Sequence, residues 1–224
     1  MDRTLNQQTY DRFKKDIMTF ALKPGDPVSA AKLAERYNVS RTPAREALVR
    51  LHGEGLIDIF PQSKSVVSKI NVNRARQEWF IRKTLELGMI DAFFDNVTDV
   101  DIDEMHSYCM KLVDSSEGPR THESSYEYLC SDNAFHAVSY RVAGENLSAE
   151  VIANMSSHYN RLRLLVDLDN IYKDRTVSDH DELVGLIRKR DREGYRKALE
   201  KHLGHIITDI DNMSKQFPHF FEVE

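Results

Sequence analysis

The sequence predicts a mainly α chain in two parts: three helices with a β-hairpin, then an all-α antiparallel helical bundle. Three observations carry this. Apolar residues recur at spacings of three and four along most of the chain, and strand-like runs are confined to residues 57–70. Basic charge is concentrated at one end: residues 1–70 carry 12 Lys/Arg against 8 Asp/Glu, and the remainder carries 19 against 28. The length of 224 residues suits one small domain joined to a larger one.

Tyr10, Phe13, Ile17 and Phe20 fall on one face of a first helix, which Pro24-Gly25-Asp26 ends with a turn. Ser29 opens a second, short helix holding Leu33, Ala34 and Tyr37. After a tight turn at Asn38-Val39, a third helix carries Ala44, Leu48 and Leu51 inward, and Gly53 and Gly55 stop it. Ile57–Phe60 and Val66–Ile70 read as two strands joined at Pro61-Gln62-Ser63-Lys64. Three helices and a hairpin in 70 residues describe a winged helix-turn-helix.

The start of the third helix, NVSRTPAREAL, bears on function. Arg41 and Arg45 are four apart and share a face, while Ala44 and Leu48 point to the core. Ser40 or Thr42 can cap the helix, and Pro43 is tolerated in a first turn, where its missing N–H would be unpaired anyway. Two hydroxyls, two guanidiniums and free backbone N–H groups make a surface suited to DNA. Hydroxyls and helix N–H groups hold phosphates, and arginine can pair twice with guanine in the major groove.

These residues also carry a resemblance. LKPGDPVSAAKLAERYNVSRTPAREALVRLHGEGLI, residues 22–57, resembles the DNA-binding domain of the GntR family of bacterial transcription regulators, and the likeness extends over nearly all of 10–70. By position, Arg41 and Arg45 are similar to that family's base-reading arginines, and Ser40 and Thr42 to its phosphate contacts. Two positions depart from the pattern. Ala31 stands where a charged residue is common, and the wing tip reads Ser63-Lys64 in place of a glycine, so that Lys64 takes the phosphate contact.

From Val72 on, helical patterns follow one another at roughly 73–95, 99–115, 121–143, 147–169, 176–190 and 193–214. Ser115-Ser116-Glu117-Gly118-Pro119 and Gly144-Glu145-Asn146 separate them. The expected organisation is a DNA-binding domain over 1–70, a joint at 71–75, a helical domain over 76–215 and a C-terminal tail at 216–224. No run of about 18 apolar residues spans a membrane. The polar N-terminus lacks a secretion signal, and Cys109 and Cys130 read as reduced and buried. A soluble, cytoplasmic chain is expected.

Within the helical part, Asp132 and His136 are four apart and can address one object, with Phe135 turned into the core. His180 and His202 would lie about 33 Å apart on one straight helix. The break at Arg190–Gly194 is centred between them, so an antiparallel hairpin brings them side by side. Three imidazoles and a carboxylate can then converge on a divalent ion, with Zn, Ni and Mn all open as its identity. His205 stays open as a ligand in place of His202. The remaining histidines, with Tyr126, Tyr128 and Leu129, read as packing or surface residues.

Residues 76–215 resemble the FCD ligand-binding domain of the FadR-like branch of the same family, through Arg82-Lys83-Thr84-Leu85-Glu86, SDNAFHAVSYRVAG and DHDELVGLIRKRDREGYRKALEKHL. One position departs: Glu145 follows the Ala-Gly pair where asparagine is usual. By position, Asp132, His136, His180 and His202 are similar to the family's metal-binding quartet. The resemblance implies a divalent metal, a small carboxylate effector beside it, a homodimer and a palindromic double-stranded DNA operator. Arg82, Arg161 and Arg163 are the candidates to pair with the effector carboxylate. The expectation is a repressor of a catabolic operon, released by a sugar acid or organic acid, with activation and corepression left open. A regulator for which the ion is the signal, and a metal-dependent hydrolase, are the alternatives. The helix-turn-helix and the lack of an H-E-x-x-H motif count against an enzyme.

Overall fold

A computed structural model describes residues 4–60, 64–116, 120–169 and 173–222. The expected turns at Pro61-Gln62-Ser63 and Glu117-Gly118-Pro119 lie outside those residues. The chain forms two compact units. One takes in the chain through Val72 together with the segment from Ser214 on, and the other runs from Asn73 to Met213.

In the first unit, helix α1 (Leu5–Met18) starts at Thr4, whose side chain accepts from the Gln7 amide, and buries Tyr10, Phe13 and Ile17. Helix α2 (Ala30–Tyr37) is capped by Ser29, which accepts from Lys32 N, and ends on Asn38 in the left-handed region at φ 54°. Helix α3 (Arg41–Gly53) buries Ala44, Ala47, Leu48 and Leu51. A polar clamp ties α1 to the end of α3: Tyr10 OH donates to Glu54 Oε1 at 2.6 Å, and Lys14 Nζ to Oε2 at 2.7 Å.

The sheet has a strand that the sequence reading omits. Strands β1 (Pro27–Val28), β2 (Ile57–Ile59) and β3 (Ser65–Val67) pair antiparallel in the order β1-β3-β2. At two residues, β1 is too short to show alternation. The hairpin register is set by Ile57↔Val67 and Ile59↔Ser65.

Residues 216–222 do not form a free tail. Ile70 N donates to Phe220 O at 2.8 Å, Glu222 N donates to Ile70 O at 3.1 Å, and Phe220 stacks on Phe20 at 5.1 Å. The C-terminal segment thus completes the first unit at the end of its hairpin, with Phe221 buried.

The second unit is helical: α4 (Val72–Gly88, its first residue counted to the first unit), α5 (Ile90–Asn96), α6 (Asp99–Ser116), α7 (His122–Ala143), α8 (Asn146–Met155), α9 (Ser157–Leu168), α10 (Lys173–Arg188) and α11 (Arg192–Gln216, its end likewise in the first unit). Helix α7 packs against α5, α6, α8 and α9. The core gathers Ile90, Phe93, Met105, Phe135, Leu183 and Tyr195. Among the described residues no helix is long and apolar enough to cross a membrane.

Two expected helices are each broken in two. The 73–95 pattern divides at Met89, just after Gly88. The 147–169 pattern divides at Ser156, whose Oγ bonds back to Ile152 O at 2.7 Å. There Glu78 from α4 supplies the missing cap, accepting from Tyr159 N at 2.8 Å. The apolar rhythm runs through both breaks, so periodicity alone does not show them.

The α10–α11 hairpin forms where the sequence predicts it. Arg190 takes φ 54°, and Asp191 Oδ1 accepts from Gly194 N at 2.9 Å. A Cβ on Gly194 would lie 2.3 Å from Asp191 Oδ2 and 2.8 Å from Leu186, so glycine is needed there. Cys109 is buried as expected, but Cys130 is exposed, because it falls on the outer face of α7.

Candidate functional site

On α3, residues Arg41, Thr42, Arg45, Glu46, Val49 and Arg50 are exposed and line one shallow groove. Two of them are held by α1. The Arg50 guanidinium lies 3.6 Å from the Tyr10 ring centre and bonds to Gln7 at 2.9 Å, and Glu46 accepts from Asn6 at 2.5 Å. Arg41 and Arg45 make no hydrogen bond or ion pair with any described residue. Ser40 occupies the N-cap position, but its hydroxyl does not cap the helix, unlike that of Ser29. Among the described residues, the first two turns of α3 and its N-cap thus offer two unengaged cations and an unengaged hydroxyl, the groups a phosphate backbone and a guanine edge require. Lys64 is exposed and lines a second groove with Ser29, Lys32 and Phe60.

The second site lies in the bundle. Asp132 and His136 from α7, His180 from α10 and His202 from α11 converge, each offering a donor atom within 4.8 Å of the others. His180 Nε2 is 3.3 Å from Asp132 Oδ1, and His136 Nε2 is 3.9 Å from Asp132 Oδ2. The ring centres of His202 and its neighbours are 4.6 Å (His180) and 5.4 Å (His136) apart. His136 Nε2 is buried and has no hydrogen-bond partner among the described residues. His205 is not in the group, and its Nε2 lies 3.0 Å from Asp179 Oδ2.

The electrostatics favour a cation. Burial, helped by the Arg82 charge, pushes the His136 imidazole down from its usual range against the pull of Glu86. Burial and the neighbouring His180 push His202 down to about 3. Both rings are thus neutral at pH 7, the form that ligates a metal. Burial opposes the charge on Asp132, but Arg163, His180 and His136 together hold it well below the usual carboxylate range. Three imidazoles and one carboxylate converging in a buried group fit a divalent transition ion.

Around this group stand the arginines named from sequence. Arg163 pairs with Asp132 and donates to Asn133 at 2.7 Å. Arg82 is buried, donates from Nε to Glu86 Oε1 at 2.6 Å, and lies 3.7 Å from Asp132 Oδ2. Arg161 is fully buried, with Ser157 O and His158 Nδ1 each at 3.3 Å on its own helix.

Comparison with known proteins follows these two sites closely. Residues 5–67 match the gntR family of bacterial regulatory proteins, and residues 79–205, more than half of the chain, match the FCD domain. The chain is a GntR-family regulator with an FCD domain. It is 28% identical over 222 residues to an uncharacterized HTH-type transcriptional regulator of Streptomyces ambofaciens, covering 99% of this chain and 92% of that one. It is 27% identical over 224 residues to the HTH-type transcriptional repressor RspR of Escherichia coli, covering 98% and 95%. The solved structure of E. coli McbR/YncC shares its fold, with a TM-score of 0.74 at 22% identity, over 96% of this chain and all of the other. These relatives are transcription regulators, and this GntR-family chain is one, not an enzyme.

Sequence reasoning missed the carboxylates behind the quartet. Glu86 Oε2 lies 2.7 Å from His136 Nδ1, and Asp179 Oδ2 lies 3.5 Å from His202 Nδ1. The only local hints were that Glu86 is four residues from Arg82 and that Asp179 precedes His180, and neither spacing distinguishes a buried support from a surface pair.

Proposed function

We propose that this regulator is a cytoplasmic repressor of a catabolic operon, released by a small sugar acid or organic acid that binds beside a divalent metal in the helical unit. The observation that carries this reading is the pairing of a four-ligand donor group with guanidiniums at its edge. Asp132, His136, His180 and His202 would hold the ion, and Arg82 and Arg163 stand next to Asp132. When bound, the ion supplies a Lewis-acidic centre with open coordination positions for an effector oxygen. Arg163, with a partly exposed side chain, would pair with the carboxylate. Repression is supported by the name of the E. coli relative.

A homodimer on a palindromic operator is part of the same reading. One recognition helix spans too few base pairs to bind tightly, and two-fold symmetry doubles the contact. Arg41 and Arg45 read bases; Ser40, Thr42 and Lys64 hold phosphates. An effector shifts DNA affinity only by binding the DNA-competent and incompetent states differently, and a coupling of about 1–3 kcal/mol is typical. Elemental analysis of the purified protein, followed by a thermal-shift screen of sugar acids and dicarboxylates with and without chelator, tests it. An acid that stabilises only the metal-loaded protein and releases operator DNA is expected. Stabilisation by metal alone, with the ion itself releasing DNA, would make it a metal-responsive regulator.

A further inference from the structure

A ligating imidazole uses one nitrogen for the metal, and its other nitrogen carries a proton that needs an acceptor when buried. The quartet meets this need unevenly. His136 turns Nε2 toward Asp132, and its Nδ1 lies 2.7 Å from Glu86 Oε2. Glu86 is itself buried and fixed on its other oxygen by Arg82 Nε at 2.6 Å. His202 has a looser arrangement: Asp179 Oδ2 is 3.5 Å from its Nδ1 and is shared with His205 Nε2 at 3.0 Å. Asp179 also lies 3.5 Å from Lys201 Nζ.

We infer that Glu86 is a positioning residue for the metal site: from helix α4 it accepts the Nδ1 proton of His136, fixes the ring's tautomer and directs Nε2 at the ion. The inference rests on the metal reading above and deepens it. Glu86 is suited to the task because both of its oxygens are committed, one to Arg82 and one to His136, so the carboxylate has one orientation. Asp179 stands behind His202 with less constraint, because its Oδ2 lies near both the His202 and His205 rings without hydrogen-bond geometry to either. His205, which its sequence spacing offered as a ligand, stands beside Asp179 instead of in the quartet.

The test is metal affinity of the full chain, stripped by chelator and titrated with Zn²⁺ in competition with a chromophoric chelator. Glu86→Gln keeps the shape and removes the charge; it is expected to weaken Zn²⁺ binding about tenfold to a hundredfold. The visible spectrum of the Co²⁺-loaded variant is expected to shift from that of wild type, because ligand orientation changes. Asp179→Asn is expected to lose less than Glu86→Gln. Ile90→Val, a core change away from the quartet, is expected to lower stability and leave both affinity and spectrum untouched. Wild-type Zn²⁺ affinity and an unchanged Co²⁺ spectrum in Glu86→Gln would overturn the inference while leaving the quartet standing. A wild-type protein that takes up neither Zn²⁺, Ni²⁺ nor Mn²⁺ would overturn the metal reading itself, and the inference with it.

Discussion

Arg45 on α3 is exposed and bonded to no described residue, whereas Arg82 on α4 is buried between Glu86 and Asp132. Both belong to i, i+4 pairs in the sequence, Arg41 with Arg45 and Arg82 with Glu86. The difference lies in what the second member supplies. Two like charges cannot satisfy each other, so the α3 pair stays hydrated and available to a polyanion. Opposite charges can be buried together, and the α4 pair becomes part of a fixed polar network. A helix face therefore shows by its charge pairing whether it awaits a partner or supports a site.

The contrast can be broken most sharply at Asp132. This carboxylate meets Arg163, Arg82, His136 and His180. Asp132→Ala leaves buried cations uncompensated, and a loss of about 3–5 kcal/mol is expected in urea denaturation with chelator present. A loss under about 1 kcal/mol would show that the network is dispensable without metal. Next in size is Arg45→Ala. Operator affinity measured by fluorescence anisotropy should fall by about 1–3 kcal/mol, the worth of one arginine–guanine pair, with stability unchanged. Unaltered operator affinity would remove α3 from the DNA interface.

A finer comparison sets Ser29 against Ser40, two serines at helix N-cap positions. Ser29 Oγ accepts from Lys32 N at 3.2 Å, and Ser40 makes no such bond. Thermal denaturation of Ser29→Ala should show a loss of about 1 kcal/mol. Ser40→Ala should leave stability within about 0.5 kcal/mol of wild type and weaken DNA binding at low salt. Equal losses of stability would show that Ser40 caps after all.

How much of this was legible follows from the range of the interactions. The α3 surface depends on residues within two helical turns, so spacing sufficed. The quartet was legible as one local pair, Asp132 and His136, plus one inferred hairpin, because Arg190 and Asp191 mark the turn that sets His180 beside His202. Glu86 was not, since an Arg–Glu pair at this spacing reads as an ordinary surface salt bridge until burial is known. Neither were the breaks at Met89 and Ser156, where apolar spacing continues across the interruption. The C-terminal segment was the furthest from reach. Phe217–Glu222 carries no strand pattern, and its partner Ile70 lies on the far side of the whole helical unit in sequence.

That last pairing governs the order in which the protein can be finished during synthesis. Asn71 and Glu222 are bonded across 151 residues, so the ribosome releases the hairpin long before the segment that closes it. At about 5–20 residues per second the interval is on the order of 10–30 s. Throughout that time α1, α2 and α3 can fold beside an Ile70 that has not met its Phe220 and Phe221 partners. The first unit is therefore started before the helical unit and closed only after it. A nascent chain therefore cannot present that unit in finished form until the helical unit has been made in full.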